Sequence, residues 1–210
     1  MWMIWGLAAA LYAAFRAWYD NWGGKVSRAK IDAFLAEARR SGADQHNDMA
    51  IVERFLAEDD GREFFMLNLV KVHPGDVPDP DTGAPVKGRD LLARYTNPFM
   101  RRLFQRGGHP ALAARPIGGY VDAWDAAPDP GWTLVGYMRY RSRRDMMKLA
   151  GAPEFRDIHR FKMAATATTY SFPTRPMIMT LMGPRLWVLL VIALAAALAQ
   201  IAVMTLKATG

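Results

Sequence analysis

Asn68 and Arg139 are polar residues in stretches that otherwise predict buried strands. Asn68 interrupts the run EFFMLNLVKV (63–72), and a buried amide must be hydrogen-bonded, so it either holds a loop backbone or orients a ligand. Arg139 alternates with Tyr137 on one face of a later strand. A guanidinium there can bind a carboxylate through two parallel hydrogen bonds, or it forms a salt bridge at an edge or interface.

His159 and Tyr95 are the other two candidate catalytic residues. His159 lies one turn beyond Phe155 on a predicted helix, and as a general base or haem ligand it needs a second oriented partner. Asp157 is the only carboxylate near it in sequence, so a structural or exposed role is the alternative. Aromatic side chains that either line a pocket or fill the core are Tyr95, Tyr120, Trp124 and Tyr137.

Several kinds of chemistry have no support in the 210 residues. The chain has no cysteine, which rules out disulfides, thiolate catalysis and cysteine-ligated metals. It also has no Ser-His-Asp order, phosphate loop, dinucleotide glycine pattern or HExxH motif, so we predict no cofactor and no metal. Asp76, Asp79 and Asp81 alternate as in a calcium loop, but the EF-hand glycine and closing glutamate are out of register.

The formal net charge is +7. Nucleic acid is one explanation of such a charge, but no basic helix, zinc finger or RNA-binding signature accompanies it. A basic face toward anionic lipid headgroups explains the charge more simply. We therefore expect a lipid bilayer, and not nucleic acid, as a partner.

Two apolar segments at the ends predict membrane helices. The run Leu186–Leu206 has no charged residue, which is long enough to span a bilayer and unusual for a buried helix of a soluble domain. A helix from Trp2 to about Tyr19 spans if Arg16 reaches back to the interface. Its alternatives are an interfacial helix or a signal peptide, and the signal peptide lacks a basic residue before Arg16.

Basic residues near the predicted spans indicate their orientation. They follow the first span and precede the second, whereas only Lys207 lies at the far end. The positive-inside rule then places the central domain in the cytoplasm and both termini outside, in the inner (cytoplasmic) membrane. The residues counted are Arg16, Lys25, Arg28, Lys30, Arg175 and Arg185.

Small residues recur on both predicted spans at a spacing that lets helices approach closely. Gln200 is a strongly polar side chain inside the second span, and we expect a partner helix to supply its hydrogen bond. We expect packing against another membrane helix, including packing of the two spans on each other; the alternative is that alanine is simply a common helix residue. The candidate packing residues are Gly6, Ala10, Ala14, Ala193, Ala197 and Gln200.

The chain divides into an N-terminal membrane helix (1–22), a helical linker (23–61), a domain (62–174) and a neck with a C-terminal transmembrane helix (175–210). We predict an α+β domain of ferredoxin-like β-α-β-β-α-β order, in which two helices cover one face of an antiparallel sheet. We expect strands at Ala111–Trp124, with a bulge at Gly118-Gly119, and at Trp132–Arg141. The loop His73–Gly88 is rich in Pro, Gly and Asp and is expected to lack regular structure.

The first and third strands are apolar on both faces. The face not covered by helices should therefore also be buried, most economically against a second copy by a two-fold axis. A homodimer is thus one expectation for the oligomeric state.

Four segments resemble the dimeric α/β-barrel superfamily. They are NLVK at 68–71, the pair Arg94-Tyr95, WTLVGYMRYRSRRDMMKL at 132–149 and APEFRDIHR at 152–160. The resemblance covers about half the chain and is closest to a small family of unknown function near the antibiotic biosynthesis monooxygenases and ether-degradation-type proteins. It implies a pocket between sheet and helices, so Asn68, Tyr95, Arg139 and His159 are the residues to examine there.

Three functional hypotheses follow. The first is an accessory or assembly subunit beside other membrane proteins, because the chain combines two predicted spans with a domain that lacks a convincing catalytic set. The second is a membrane-bound monooxygenase-, isomerase- or cyclase-type enzyme on a hydrophobic substrate, which predicts that the four candidate residues converge. A ligand-binding regulator would share the pocket but not the turnover.

Overall fold

A computed structural model describes residues 2–42 and 45–209 and divides the chain into two compact units. One unit comprises residues 23–175, and the other comprises the two apolar ends, up to Trp22 and from Pro176. The elements are, in chain order, α1 (Trp2–Tyr19), α2 (Arg28–Arg40), α3 (Met49–Ala57), β1 (Phe64–Val72), β2 (Asp76–Pro78), β3 (Pro85–Lys87), α4 (Gly88–Gln105), β4 (His109–Ala114), β5 (Leu134–Tyr140), α5 (Arg143–Ala150), α6 (Pro153–Ala165), β6 (Thr166–Thr174) and α7 (Pro184–Thr209).

The 23–175 unit is built on a four-stranded sheet of order β4-β5-β1-β6, with every neighbouring pair antiparallel. With α4 between β1 and β4, and α5 and α6 between β5 and β6, the predicted β-α-β-β-α-β order of an α+β domain is confirmed. Residues of the two central strands meet the helices in one apolar cluster. The ring of Phe64 stacks on that of Tyr140 at 5.1 Å, and the cluster also contains Phe99, Leu103 and Leu149.

Segment 23–61 forms a small layer of its own. Helices α2 and α3 bury Ile31, Leu35 and Leu56 against Met147 of α5. Helix α3 is capped by Asp48, whose carboxylate accepts hydrogen bonds from the backbone of Ala50 and Ile51.

The segment His73–Gly88 was expected to lack regular structure, and this is wrong. It contains the short antiparallel pair β2 and β3, because Val77 is buried in a cluster with Leu91 and Phe161. The aspartates that resembled a calcium loop are paired with cations: Lys87 with Asp76, Arg94 with Asp79 and Asp81, and Arg160 with Asp81. In the described residues, no cluster of acidic or histidine side chains is arranged to hold a metal ion.

The strand expected at Ala111–Trp124 is also wrong in its extent. Strand β4 begins at His109 and ends at Ala114, and its register irregularity lies between Pro110 and Leu112 rather than at Gly118-Gly119. Residues after Ala114 leave the sheet because prolines and glycines interrupt the chain there. Apolar side chains in the connection to β5 are consequently exposed, among them Ile117, Val121 and Trp124.

The second unit consists chiefly of α1 and α7. The two helices are antiparallel, since Trp5 near the start of α1 contacts Gln200 late in α7, and Arg185 at the start of α7 contacts Asp20 just after α1. Ala8 and Ala196 are buried within this unit. The predicted helices are therefore both present.

Only α7, among the helices of the described residues, is both long and apolar enough to cross a membrane. The expectation of two such helices is corrected for α1, whose 18 residues include Arg16 and several tryptophans and tyrosines. These side chains lower its mean hydropathy below that of α7. Helix α7 has 26 residues with one charged side chain near each end, Arg185 and Lys207.

Candidate functional site

An aromatic and basic cluster forms where α4 and α6 face each other over the sheet. Tyr95 of α4 meets His159 of α6 with a ring separation of 6.0 Å in an edge-on arrangement. Phe155, one turn before His159, stacks on the imidazole at 5.4 Å. Lys162 follows one turn after His159, with its Nζ 5.8 Å from the centre of the Tyr95 ring. Helical spacing thus places Phe155, His159 and Lys162 on one side of α6.

Burial shifts the pKa values of this cluster. It lowers the pKa of His159 to about 4, with the charge of Lys162 and that of His46 acting in the same direction. Burial also lowers the pKa of Lys162 and raises the pKa of Tyr95 above its ordinary value. The imidazole is consequently neutral and the phenol protonated at neutral pH.

A neutral imidazole beside a protonated phenol can accept a proton and stabilise a developing oxyanion, respectively. No carboxylate in the described residues hydrogen-bonds to His159, so the imidazole lacks the third group that usually orients a catalytic base. The surrounding rings of Tyr95, Phe99 and Phe155 suit an apolar or aromatic compound better than a charged one.

Asn68 has its side chain fully engaged by neighbouring strands. Its amide nitrogen donates to the carbonyl of Met66 at 3.0 Å and lies 3.4 Å from that of Gly136, while its oxygen accepts from the hydroxyl of Ser171 at 2.8 Å. These bonds link β1 to β5 and to β6. The amide thus contacts backbone carbonyls of strands and not of a loop.

Arg139 is buried, with only 1% of its side chain exposed, and forms a salt bridge. Its Nε and Nη2 donate to Glu63 at 2.9 and 2.5 Å, and its Nη1 donates to the carbonyl of Gly107. Gly108 is required beside it, because a Cβ there would lie 2.7 Å from the carbonyl oxygen of Arg139. Arg139 therefore forms a salt bridge, its alternative role, in which both nitrogens donate to the same carboxylate oxygen, Oε2 of Glu63.

The structure thus brings Tyr95 and His159 together, while Asn68 and Arg139 are engaged by other partners. Lys162 is a further residue of this cluster and was not among the residues predicted from the sequence. Its spacing of three residues from His159 on a predicted helix indicates that the two side chains lie on the same side of that helix. The sequence pattern could not show that the Lys162 side chain is largely buried rather than solvated.

The candidate packing residues of the two apolar helices divide into two groups. Ala193, Ala197 and Gln200 are partly buried on the side of α7 that faces α1. Gly6, Ala10 and Ala14 are exposed, because α1 instead turns Ala8 and Tyr12 toward α7. The hydroxyl of Tyr12 donates to the backbone carbonyl of Arg185 at 3.0 Å.

Comparison with known proteins identifies similar folds but no family. No family model and no curated protein matches the sequence. A crystal structure of a protein of unknown function from Rhodopseudomonas palustris aligns with a TM-score of 0.54 at 20% identity, covering 63% of this chain and 96% of that one. The chain has a ferredoxin-like fold.

Two more distant structures are also similar. A protein from Bacteroides thetaiotaomicron, described as an antibiotic biosynthesis monooxygenase, aligns with a TM-score of 0.37 at 10% identity over 58% of this chain and 96% of its own. A dimeric ferredoxin-like protein of unknown function from Bacteroides fragilis aligns with a TM-score of 0.28 at 14% identity over 54% of this chain and 96% of its own. At these identities the similarity concerns the fold and carries no function.

Proposed function

We propose that this chain is an accessory or assembly subunit of a membrane protein complex, held in the membrane by α7 and α1. The observation that carries the proposal is the α1–α7 pair itself. Its polar side chains contact one another, while its outer surface is apolar and exposed, including Leu194, Leu198 and Ile201. Lipid tails and the helices of other subunits are the surroundings that such a surface fits.

We place α1 in the membrane beside α7, although its own hydropathy does not require it. Contacts between the helices extend from Asp20–Arg185 at one end to Trp5–Gln200 at the other. A helix that follows α7 over this length shares its depth in the bilayer. Arg16, the charge that most opposes insertion, is paired with Asp20, which lies close to the end of the pair.

The exposed stripe Gly6, Ala10 and Ala14 supports a partner helix from another subunit. Gly6 has nothing within 4 Å of a Cβ placed on it, so a neighbouring backbone can approach closely there. The basic residues that flank the helices support a cytoplasmic position for the α/β domain and outside positions for both termini in the inner membrane.

A second copy is the partner that the sheet itself favours. Tyr170 and Phe172 of β6 and Leu112 of β4 are exposed on the face opposite the Phe64–Tyr140 cluster. A two-fold pairing of these faces buries them, as the apolar strands lead us to expect.

An enzyme or ligand-binding domain acting on a hydrophobic compound is the second candidate. It is favoured by one observation, the desolvated cluster of Tyr95, His159 and Lys162. Proton transfer of the isomerase or cyclase type fits a neutral imidazole better than oxidation does. Loss of a bound compound in the variant His159→Phe, with unchanged thermal unfolding, would favour it over the subunit hypothesis.

Anchorage and orientation are tested with single cysteines in this cysteine-free chain. Asp122→Cys in the α/β domain and Ala208→Cys at the end of α7 are labelled with a membrane-impermeant maleimide in intact cells. We expect labelling of position 208 alone, and labelling of both after lysis. Labelling of position 122 in intact cells, or extraction of the full chain from membranes by alkaline carbonate, would contradict the proposal.

A further inference from the structure

A basic groove lies in the 23–175 unit, apart from the aromatic cluster. It has a volume of about 600 Å³ and is lined by the segment after α1, the first turns of α2, and α5. Four of its lining residues are basic and none is acidic: Lys25, Lys30, Arg144 and Lys148. It is therefore a concentrated positive site and not a surface of mixed charge.

The floor of the groove is held in place by specific contacts. Nη2 of Arg144 lies 2.6 Å from the carbonyl of Gly23, 2.8 Å from that of Gly24 and 3.0 Å from that of Lys25. The backbone amide of Val26 donates to the carboxylate of Asp59 at 2.7 Å. These contacts order the segment that begins the domain, so the lysines project from a fixed backbone.

The groove also has cationic side chains and hydrogen-bond donors that are available to bind an anion. Within the described residues, Lys25, Lys30 and Lys148 form no salt bridge with a carboxylate, and the buried Nε of Arg144 has no hydrogen-bond partner. Ser27 stands at the N-cap of the 13-residue helix α2 but makes no capping hydrogen bond. Its hydroxyl and the first-turn amides therefore add to the attraction of the four cations for a phosphate.

We propose that this groove binds the phosphate of an anionic membrane lipid, such as phosphatidylglycerol. The inference rests on the proposed anchorage, because the length of the chain then brings the groove to the headgroups. Gly23 follows the last residue of α1 by four positions, which an extended chain covers in at most about 14 Å. A phosphate diester on a glycerol headgroup fits both the charge and the volume.

The test titrates dioctanoyl phosphatidylglycerol into the full chain in mild non-ionic detergent at low ionic strength, with dioctanoyl phosphatidylcholine and inorganic phosphate as parallel probes. The test variant combines Lys25→Gln, Lys30→Gln and Lys148→Gln. The matched control combines Lys71→Gln, Arg101→Gln and Arg115→Gln, which remove the same charge outside the groove. The lysines of the groove are exposed, so folding of the test variant is not at risk.

We expect phosphatidylglycerol to bind the wild type and the control alike, and to bind the groove variant roughly 100-fold more weakly. Phosphatidylcholine, whose headgroup has no net charge, should bind the wild type at least about 10-fold more weakly than phosphatidylglycerol. Equal loss in the control, equal binding of the two lipids, or equal binding of inorganic phosphate would overturn the assignment to an anionic lipid. An anchored chain that fails this test overturns the groove alone, since anchorage is measured separately by cysteine labelling.

Discussion

The indole nitrogen of Trp5 donates a hydrogen bond to the side-chain oxygen of Gln200 at 2.6 Å, across 195 positions of sequence. The strongly polar side chain between the charged ends of α7 thereby has a partner in α1 of the same chain. In the low dielectric of a membrane, an amide without a partner is costly, although measured helix–helix hydrogen bonds contribute only about 0.6 kcal/mol on average. The bond therefore determines which residues of α1 and α7 face each other, and it contributes less to the strength of their association.

This register predicts a disulfide. Ala8 and Ala196 are both buried within the helix pair, so the double variant Ala8→Cys/Ala196→Cys should form an intramolecular disulfide in membranes with a mild oxidant. The control Ala10→Cys/Ala196→Cys should not, because Ala10 is exposed on another side of α1. Equal cross-linking of the two variants, measured by non-reducing electrophoresis, would contradict the packing.

The Arg139–Glu63 salt bridge predicts a large effect on stability. Arg139→Ala removes the partner of both the Glu63 carboxylate and the Gly107 carbonyl, and we expect a loss of about 3–5 kcal/mol in the free energy of unfolding. Arg101→Ala, at an exposed position, should change it by less than about 0.5 kcal/mol. Chemical unfolding of the full chain in detergent measures both, and equal effects would show that Arg139 is not structural.

His159 predicts a dependence of stability on pH. Its folded pKa of about 4 lies below the ordinary 6.5, so the unfolded chain binds the proton first as the pH falls. Stability is unaffected above pH 6.5 and declines between 6.5 and about 4, by up to about 3 kcal/mol before discounting for partial exposure. The variant His159→Phe should show a flatter pH profile of thermal unfolding in this window. An unchanged profile would place the imidazole in water.

The exposed sheet face predicts the oligomeric state. Tyr170→Asp together with Phe172→Asp should convert a dimer to a monomer, because a carboxylate buried at an apolar interface costs several kcal/mol. Phe104→Asp on α4, whose side chain is similarly exposed, serves as the control. Light scattering of the full chain in detergent separates the outcomes, and a dimer that survives the β6 substitutions must be formed elsewhere.

The sequence predicted those elements whose local signals and burial agree. Ser142 and Asp48 are good capping residues, and α5 and α3 begin directly after them. The sequence did not predict β2 and β3, because their pairing depends on Val77 finding a cluster formed by two distant helices. The strand predicted at β4 was too long. The apolar residues after Ala114 have the sequence pattern of a strand, but in the structure they are exposed.

The candidate site was predicted in part for a similar reason. Residue type marked Tyr95 and His159, and the helices bring them together. The same reasoning could not foresee that Asn68 and Arg139 would be engaged by Ser171 and Glu63, since those partners are 103 and 76 positions away in sequence. The spacing of small residues likewise did not predict which face of α1 contacts α7.

The composition of the particle that contains this chain in its native membrane tests the proposed function most directly. The full chain is purified in mild detergent and the co-purifying proteins are quantified by mass spectrometry, beside the variant Gly6→Ile/Ala10→Ile. We expect stoichiometric membrane proteins with the wild type and their loss from the variant. When Ala8→Cys and Ala196→Cys are added to that variant, the α1–α7 disulfide should still form. A particle that contains this chain alone, as a monomer or homodimer, would contradict the subunit hypothesis and favour a function at Tyr95, His159 and Lys162.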